Sequence, residues 1–89
     1  MTAESHDIRL KRLHMRSIRR GIKEMDIILG GFSRSALAAL SPAELDLYDV
    51  LLAENDHDLY QWVTGQQPTP ARYLDLVTRI SDHARATPG

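Results

Sequence analysis

The chain has no cysteine and few aromatics, with one tryptophan and one phenylalanine among its 89 residues. Without cysteine, disulfides and thiolate metal sites are excluded, so a small fold must rest on packing alone. No apolar run approaches the roughly 20 residues of a membrane span, which excludes helical membrane insertion. The segment from Ile8 to Arg20 is dense in charge where a secretory leader would carry an apolar stretch. It also carries the apolar stripe of a folded helix, which argues against a transit peptide. These absences together predict a cytoplasmic protein.

What remains is a single small domain over residues 1–89, with an ordered core expected at about 6–84. Hydrophobic residues make up 43% of the chain, enough for one compact core but not for a deep two-walled cleft. The net charge of −1 is unevenly spread. Met1 to Glu24 holds Arg9, Lys11, Arg12, Arg16, Arg19, Arg20 and Lys23 against Glu4, Asp7 and Glu24. Ser41 to Gly65 holds Glu44, Asp46, Asp49, Glu54, Asp56 and Asp58 with no lysine or arginine. Such polarity serves either to orient the domain on a partner or simply to make two solvated faces that neutralise each other.

Apolar residues recur with helical spacing throughout, and no segment alternates as a strand does. A first helix is predicted from His6 to about Met15, with Ile8, Leu10 and Leu13 inward. A second runs from near Ser17 to Leu29, with Ile18, Ile22, Met25 and Leu29 on its core face, and stops at Gly30-Gly31. A short turn or a kinked continuation covers Ser35 to Leu40. Ser41-Pro42-Ala43-Glu44 combines a capping serine, a first-turn proline and a capping-box glutamate, opening a helix to about Glu54. Asp56 caps a short helix carrying Leu59, Tyr60, Trp62 and Val63 to Gly65, with Trp62 as the expected core plug. Thr69-Pro70 opens the last, with Tyr73, Leu74, Val77 and Ile80 inward. The two ends, Met1–Ser5 and Ala84–Gly89, are expected to fray. The fold class is all-α, a compact bundle of five short helices.

Catalytic signals are missing. No two of His6, His14, His57 and His83 have the i, i+4 spacing of a helical metal site, and no glycine-rich phosphate loop precedes a helix. Neither catalytic nor metal-binding residues are assigned, and an enzyme is not expected. Arg9, Arg12, Arg16 and Arg20 recur at i, i+3 and i+4 and offer a phosphate-tracking stripe. The acidic second half and a pI near 6.4 weigh against nucleic acid.

The most informative stretch is Arg20-Gly21-Ile22-Lys23-Glu24, followed by Met25-Asp26-Ile27-Ile28-Leu29. Wound as a helix, it places Arg20, Gly21, Glu24 and Ile28 together, off the core face. A glycine there costs about 1 kcal/mol relative to alanine, and one return is close approach by another molecule. The local alternative is that Arg20 and Glu24 are merely an i, i+4 ion pair.

This Arg-Gly-x-x-Glu motif, with its hydrophobic–Asp–aliphatic continuation, resembles the signature of the SdhE-type flavinylation factors of succinate dehydrogenase. A second block, Leu51-Leu52-Ala53-Glu54-Asn55-Asp56-His57-Asp58-Leu59-Tyr60-Gln61-Trp62, is similar to that family's paired leucines, Asp-x-Asp-Leu-aromatic run and tryptophan. The resemblance spans about Arg9 to Ile80. Two departures are visible. Ile18 and Arg19 precede the motif where many members have an aromatic or polar residue, and His57 stands where proline is common.

The resemblance implies a five-helix assembly chaperone. Such a factor binds the flavoprotein subunit of succinate dehydrogenase, and of the related fumarate reductase, and promotes covalent attachment of FAD to a histidine there. It implies docking through Arg19, Arg20, Gly21, Glu24, Asp26 and Ile28. FAD is then the client's cofactor, with none bound tightly by the factor. The alternative function is a small helical module that binds another protein or nucleic acid through its basic N-terminal helices.

Overall fold

A computed structural model describes residues 5–86, and among these all regular structure is helical. The order is α1 (His6–Ser17), α2 (Lys23–Ala36), a 3-10 turn (Leu37–Ala39), α3 (Pro42–Leu51), α4 (Asp56–Val63), a second 3-10 turn (Ala71–Tyr73) and α5 (Leu74–Ala86). Masses of apolar side chain from all five helices meet in one core. Its largest fully buried members are Tyr48, Tyr73 and Phe32, surrounded by Leu13, Met25, Leu29, Leu45, Leu51, Leu59 and Ile80.

The helix starts follow from local chemistry. The Ser5 hydroxyl accepts from the Ile8 N–H and opens α1. Ser41 and Glu44 form the full capping box anticipated for α3, with bonds of 3.2 and 2.8 Å. α4 is capped by Asn55, one residue earlier than expected, because its side-chain oxygen reaches the His57 N–H at 2.8 Å. Asp56 is thereby left free for a different contact. The last segment begins as a 3-10 turn rather than an α-helix, with the Tyr73 N–H bonded to the Pro70 carbonyl at 2.9 Å. That shift puts Leu76 in the core and leaves Leu74 half exposed.

Further expectations fail for packing reasons. Gly30-Gly31 does not stop α2, which runs on to Ala36. Gly30 is buried where α1 crosses, and a Cβ there would stand 3.2 Å from Ile18 Cγ2. The small residue lets the Ile18 side chain, just past the end of α1, sit close, and Leu29 and Phe32 on either side carry the core stripe through it. Trp62 does not plug the core. It sits half-buried at the edge, tilted against Tyr73 with ring centroids 5.7 Å apart, and Tyr60 is half-buried as well. Ile8, expected inward, is mostly exposed, since α1 turns Leu13 and Ser17 inward instead. At the ends, α5 stays helical through Ala86, past the predicted fraying at Ala84. The frayed ends predicted for Met1–Glu4 and residues 87–89 lie outside the described residues.

A fully buried hydroxyl pair ties α1 to α3. Tyr48 Oη and Ser17 Oγ lie 2.6 Å apart, and Ser17 also donates to the Leu13 carbonyl at 2.7 Å. Burial pushes the Tyr48 phenol up to about 12, opposed by the Ser17 hydrogen bond. The folded-state value lies above that of the unfolded chain, so the unfolded state loses its proton first as pH rises. This contribution is intact below pH 10 and is lost between about pH 10 and 12. Two units correspond to about 3 kcal/mol. Tyr48→Phe is expected to cost about 1 kcal/mol at pH 7. It is also expected to remove the tyrosine-specific part of the alkaline loss. Urea midpoints of both proteins at pH 7, 10 and 11 check this, and parallel alkaline decline would assign the loss to other groups.

Candidate functional site

The two charge runs face each other across the bundle. Arg9 pairs with Asp46, and Arg12 and Arg16 both pair with Asp49, joining the flank of α1 to α3. The Arg12 hydrogen bond, ahead of the opposing effect of burial, holds the Asp49 carboxyl below the usual carboxylate range. Individually such half-exposed pairs are worth between 0 and about 1 kcal/mol. Their larger effect is on charge. With Arg20 also paired, all four arginines of the phosphate-tracking stripe are committed inside the molecule. Of the two readings of the polarity, mutual neutralisation describes these residues.

The Arg-Gly-x-x-Glu segment is not a continuous helix. α1 ends at Ser17, Ile18 is extended (φ −109°, ψ 167°), and α2 begins only at Lys23. Arg19 has φ 58°, the left-handed region, and is the only non-glycine residue there among those described. For an L residue that conformation costs roughly 1–2 kcal/mol, so the surrounding bonds must hold it.

Those bonds converge from four helices. The Arg20 N–H donates to the Asp26 carboxylate, closing the loop onto the first turn of α2. The Arg20 side chain turns inward, only 12% exposed, and reaches the start of α4. Its Nε donates to Asp56 Oδ1 at 2.7 Å, and Nη2 lies 2.7 Å from the same oxygen. Nη1 donates to the carbonyls of Arg16 (3.0 Å) and Leu52 (3.1 Å), covering the open ends of α1 and α3. The second Asp56 oxygen accepts the Gly21 N–H at 2.7 Å. One carboxylate thus clamps two successive residues of the motif. A Cβ on Gly21 would meet that same oxygen at 3.2 Å, so any larger residue there presses on the clamp.

The six residues assigned to docking therefore separate. Arg20 and Asp26 are structural: half-buried and hydrogen-bonded within the chain. Ile28 is half-buried against the core. Arg19, Gly21 and Glu24 are exposed. Arg20 and Glu24 are not an i, i+4 pair, because Arg20 lies outside the helix and its guanidinium is held by Asp56. Sequence reasoning missed Asp56, whose carboxylate it spent on a helix cap.

Four cations lack an ion-pair partner among the described residues: Lys11, Arg19, Lys23 and Arg34. All belong to α1, α2 and the loop between them. Glu24 beside them is likewise unpaired. Met15 and Ile27, 50% and 66% exposed, add apolar surface on the same two helices. A shallow groove of 380 Å³ runs along the loop, lined by Met15, Arg16, Ile18, Arg19, Arg20, Gly21 and Asp56. Among the described residues no cluster of three or more His, Asp or Glu side chains is placed to hold a metal ion. Among the described residues no helix is long and apolar enough to cross a membrane.

Comparison with known proteins agrees with the motif. Residues 11–84 match the Sdh5 family model, described as flavinator of succinate dehydrogenase. Three relatives bear the name succinate dehydrogenase assembly factor 2, mitochondrial. The Candida glabrata protein is 44% identical over 84 residues, covering 89% of this chain and 55% of the relative. That of Debaryomyces hansenii is 46% identical over 63 residues, covering 71% and 44%. That of Danio rerio is 43% identical over 72 residues, covering 79% and 46%. The chain spans about half the length of the curated relatives it matches. Their mitochondrial names overturn the cytoplasmic expectation. Lack of cysteine does not separate one reducing compartment from another.

Proposed function

The chain belongs to the family of flavinators of succinate dehydrogenase, and we propose from this premise that it is an assembly factor for that enzyme. It binds the flavoprotein subunit, and that of fumarate reductase where present, and promotes covalent attachment of FAD. The bond forms in the partner's own site. The factor supplies no catalytic group and holds no flavin of its own. One observation of the structure carries the docking part of this reading. Arg19, Lys23 and Glu24 stand unpaired together at the α1–α2 loop, while Lys11 and Arg34, also unpaired, line a separate groove farther along the two helices and the other cations are neutralised within the fold. Charges left free at one place are available to fix register on a partner.

The physical task is orientation. Attachment of flavin to a histidine needs the ring and the imidazole held in reactive geometry, a requirement worth many orders of magnitude in effective concentration. A protein that binds only one arrangement of the partner's domains raises the population of that arrangement. A rigid loop presented by two helices suits this role.

The test is reconstitution of the purified flavoprotein subunit with FAD, read as flavin fluorescence of the denatured subunit after electrophoresis. Wild-type factor is expected to raise the signal well above the factor-free reaction. Glu24→Ala is expected to slow labelling by about three- to tenfold, the loss of one interfacial charge contact. Its melting temperature should fall by only a few degrees, because Glu24 is exposed and unpaired and gives up only its favourable place in the first turn of α2. Equal labelling with and without the factor would refute the function. Full labelling by Glu24→Ala would remove that residue from the docking surface.

A further inference from the structure

We infer that Asp56, at the start of α4, is the positioning residue that holds the α1–α2 loop in its docking shape. The inference rests on the docking reading above and assigns a role to a residue outside the motif. Its geometry is specific. Oδ1 takes Arg20 Nε and Nη2, and Oδ2 takes the Gly21 N–H, all at 2.7 Å. The side chain is 18% exposed, so these bonds form in a partly dehydrated place where charge-assisted contacts are strongest.

The consequence falls on Arg19. That residue is exposed, in the left-handed conformation, and has no side-chain partner of its own among the described residues. Nothing it does for itself favours φ 58°. Its flanks are fixed instead: Ser17 by the buried bond to Tyr48, and Arg20 and Gly21 by Asp56. The left-handed turn at Arg19 leads directly into the two residues that Asp56 grips. The motif therefore divides in two. Arg20 and Gly21 are the parts that Asp56 grips, and Arg19, Lys23 and Glu24 are the parts presented outward. α4 needs no help from Asp56, since Asn55 caps it.

The test separates loop shape from docking. Trypsin cleaves after arginine and lysine, so brief digestion under native conditions, read by mass spectrometry, reports opening at Arg19 and Lys23. With Asp56→Ala, cleavage there is expected to rise on the order of tenfold, the effect of losing a charge-assisted clamp. Docking to the purified flavoprotein subunit is expected to weaken comparably. Asp56→Asn, which keeps an acceptor for Gly21 but loses the charge on Arg20, is expected to fall between and guards against a poorly folded alanine variant. Glu44→Ala serves as the control. It removes the α3 capping box at the far end of that helix and is expected to lower stability without opening the loop or reducing docking. Wild-type cleavage in both Asp56 variants would overturn the inference whatever docking does. An opened loop with full docking would instead overturn the reading that the partner binds this loop. Equal loop opening in Glu44→Ala would reduce Asp56 to general stability and overturn the inference as well.

Discussion

Arg20→Ala is expected to destabilise the fold by about 3 kcal/mol, the lower end of the range for breaking a buried ion pair by removing one partner. The lower end applies because Asp56 keeps 18% of its side chain in contact with solvent. Three losses add up. The Asp56 carboxylate is left without its guanidinium, the carbonyls of Arg16 and Leu52 lose a donor, and the α1–α2 loop loses its tie to α4. For a domain of this size that corresponds to a fall of more than about 10 °C in melting temperature. Circular dichroism at 222 nm during heating measures it directly. Arg19→Ala, one residue away, is expected to shift stability by less than about 0.5 kcal/mol, as surface substitutions usually do. The contrast matters more than either value. On the continuous-helix reading Arg20 is a docking residue whose removal spares the fold. A melting temperature within about 3 °C of wild type would restore that reading and refute the brace. Arg20→Lys is not expected to rescue, because a single ammonium cannot serve Asp56 and two carbonyls at once.

The sequence made the bundle legible because its helices announce themselves at both levels that matter. Ser41-Pro42-Ala43-Glu44 is a start signal whose two hydrogen bonds are both present, and Met25, Leu29, Leu45, Leu51, Leu59, Val77 and Ile80 fall inward by period alone. What could not be read were positions where a residue's local tendency yields to a distant partner. Gly30-Gly31 looks like a stop, yet Ile18 packs on Gly30 and the helix continues. Ile18 to Ile22 has good helical residues and a tolerable glycine, so pattern reasoning joins it to α2. It is a loop because an aspartate 35 residues beyond Gly21 accepts its N–H and grips the arginine before it. No local window contains that information. The nearest available signal was redundancy: Asn55 and Asp56 are both able to cap α4, and only one is needed. The docking set was likewise half legible. The motif marked one candidate surface, but burial alone tells its outward members, Arg19, Gly21 and Glu24, from its inward ones, Arg20 and Asp26. Localisation was not legible at all, because composition reports redox conditions rather than an address.

Gly21→Arg is expected to abolish docking, by at least about 100-fold, while the bundle still folds. A central steric clash of more than 2.7 kcal/mol suffices for that factor. The site is exposed, so the long side chain has solvent to enter and need not invade the core. Its Cβ would stand 3.2 Å from Asp56 Oδ2, and the carboxylate must yield by a few tenths of an ångström. That is expected to lower the melting temperature by no more than about 8 °C, the equivalent of 1 kcal/mol. Beyond Cβ the arginine would stand in the groove lined by Arg19 and Met15, the surface proposed for docking. It would add bulk, and a further cation beside those already unpaired. Covalent flavin on the partner subunit should then fall to the factor-free level, with native helical circular dichroism. Gly21→Ala distinguishes the two causes. It presses on Asp56 equally but hardly fills the groove, so it is expected to keep most of the docking. If alanine is as damaging as arginine, the glycine serves the Asp56 clamp and steric approach by the partner is not what it permits. If the arginine variant loses its helical signal instead, Gly21 belongs to the fold and the loop is not a free docking surface.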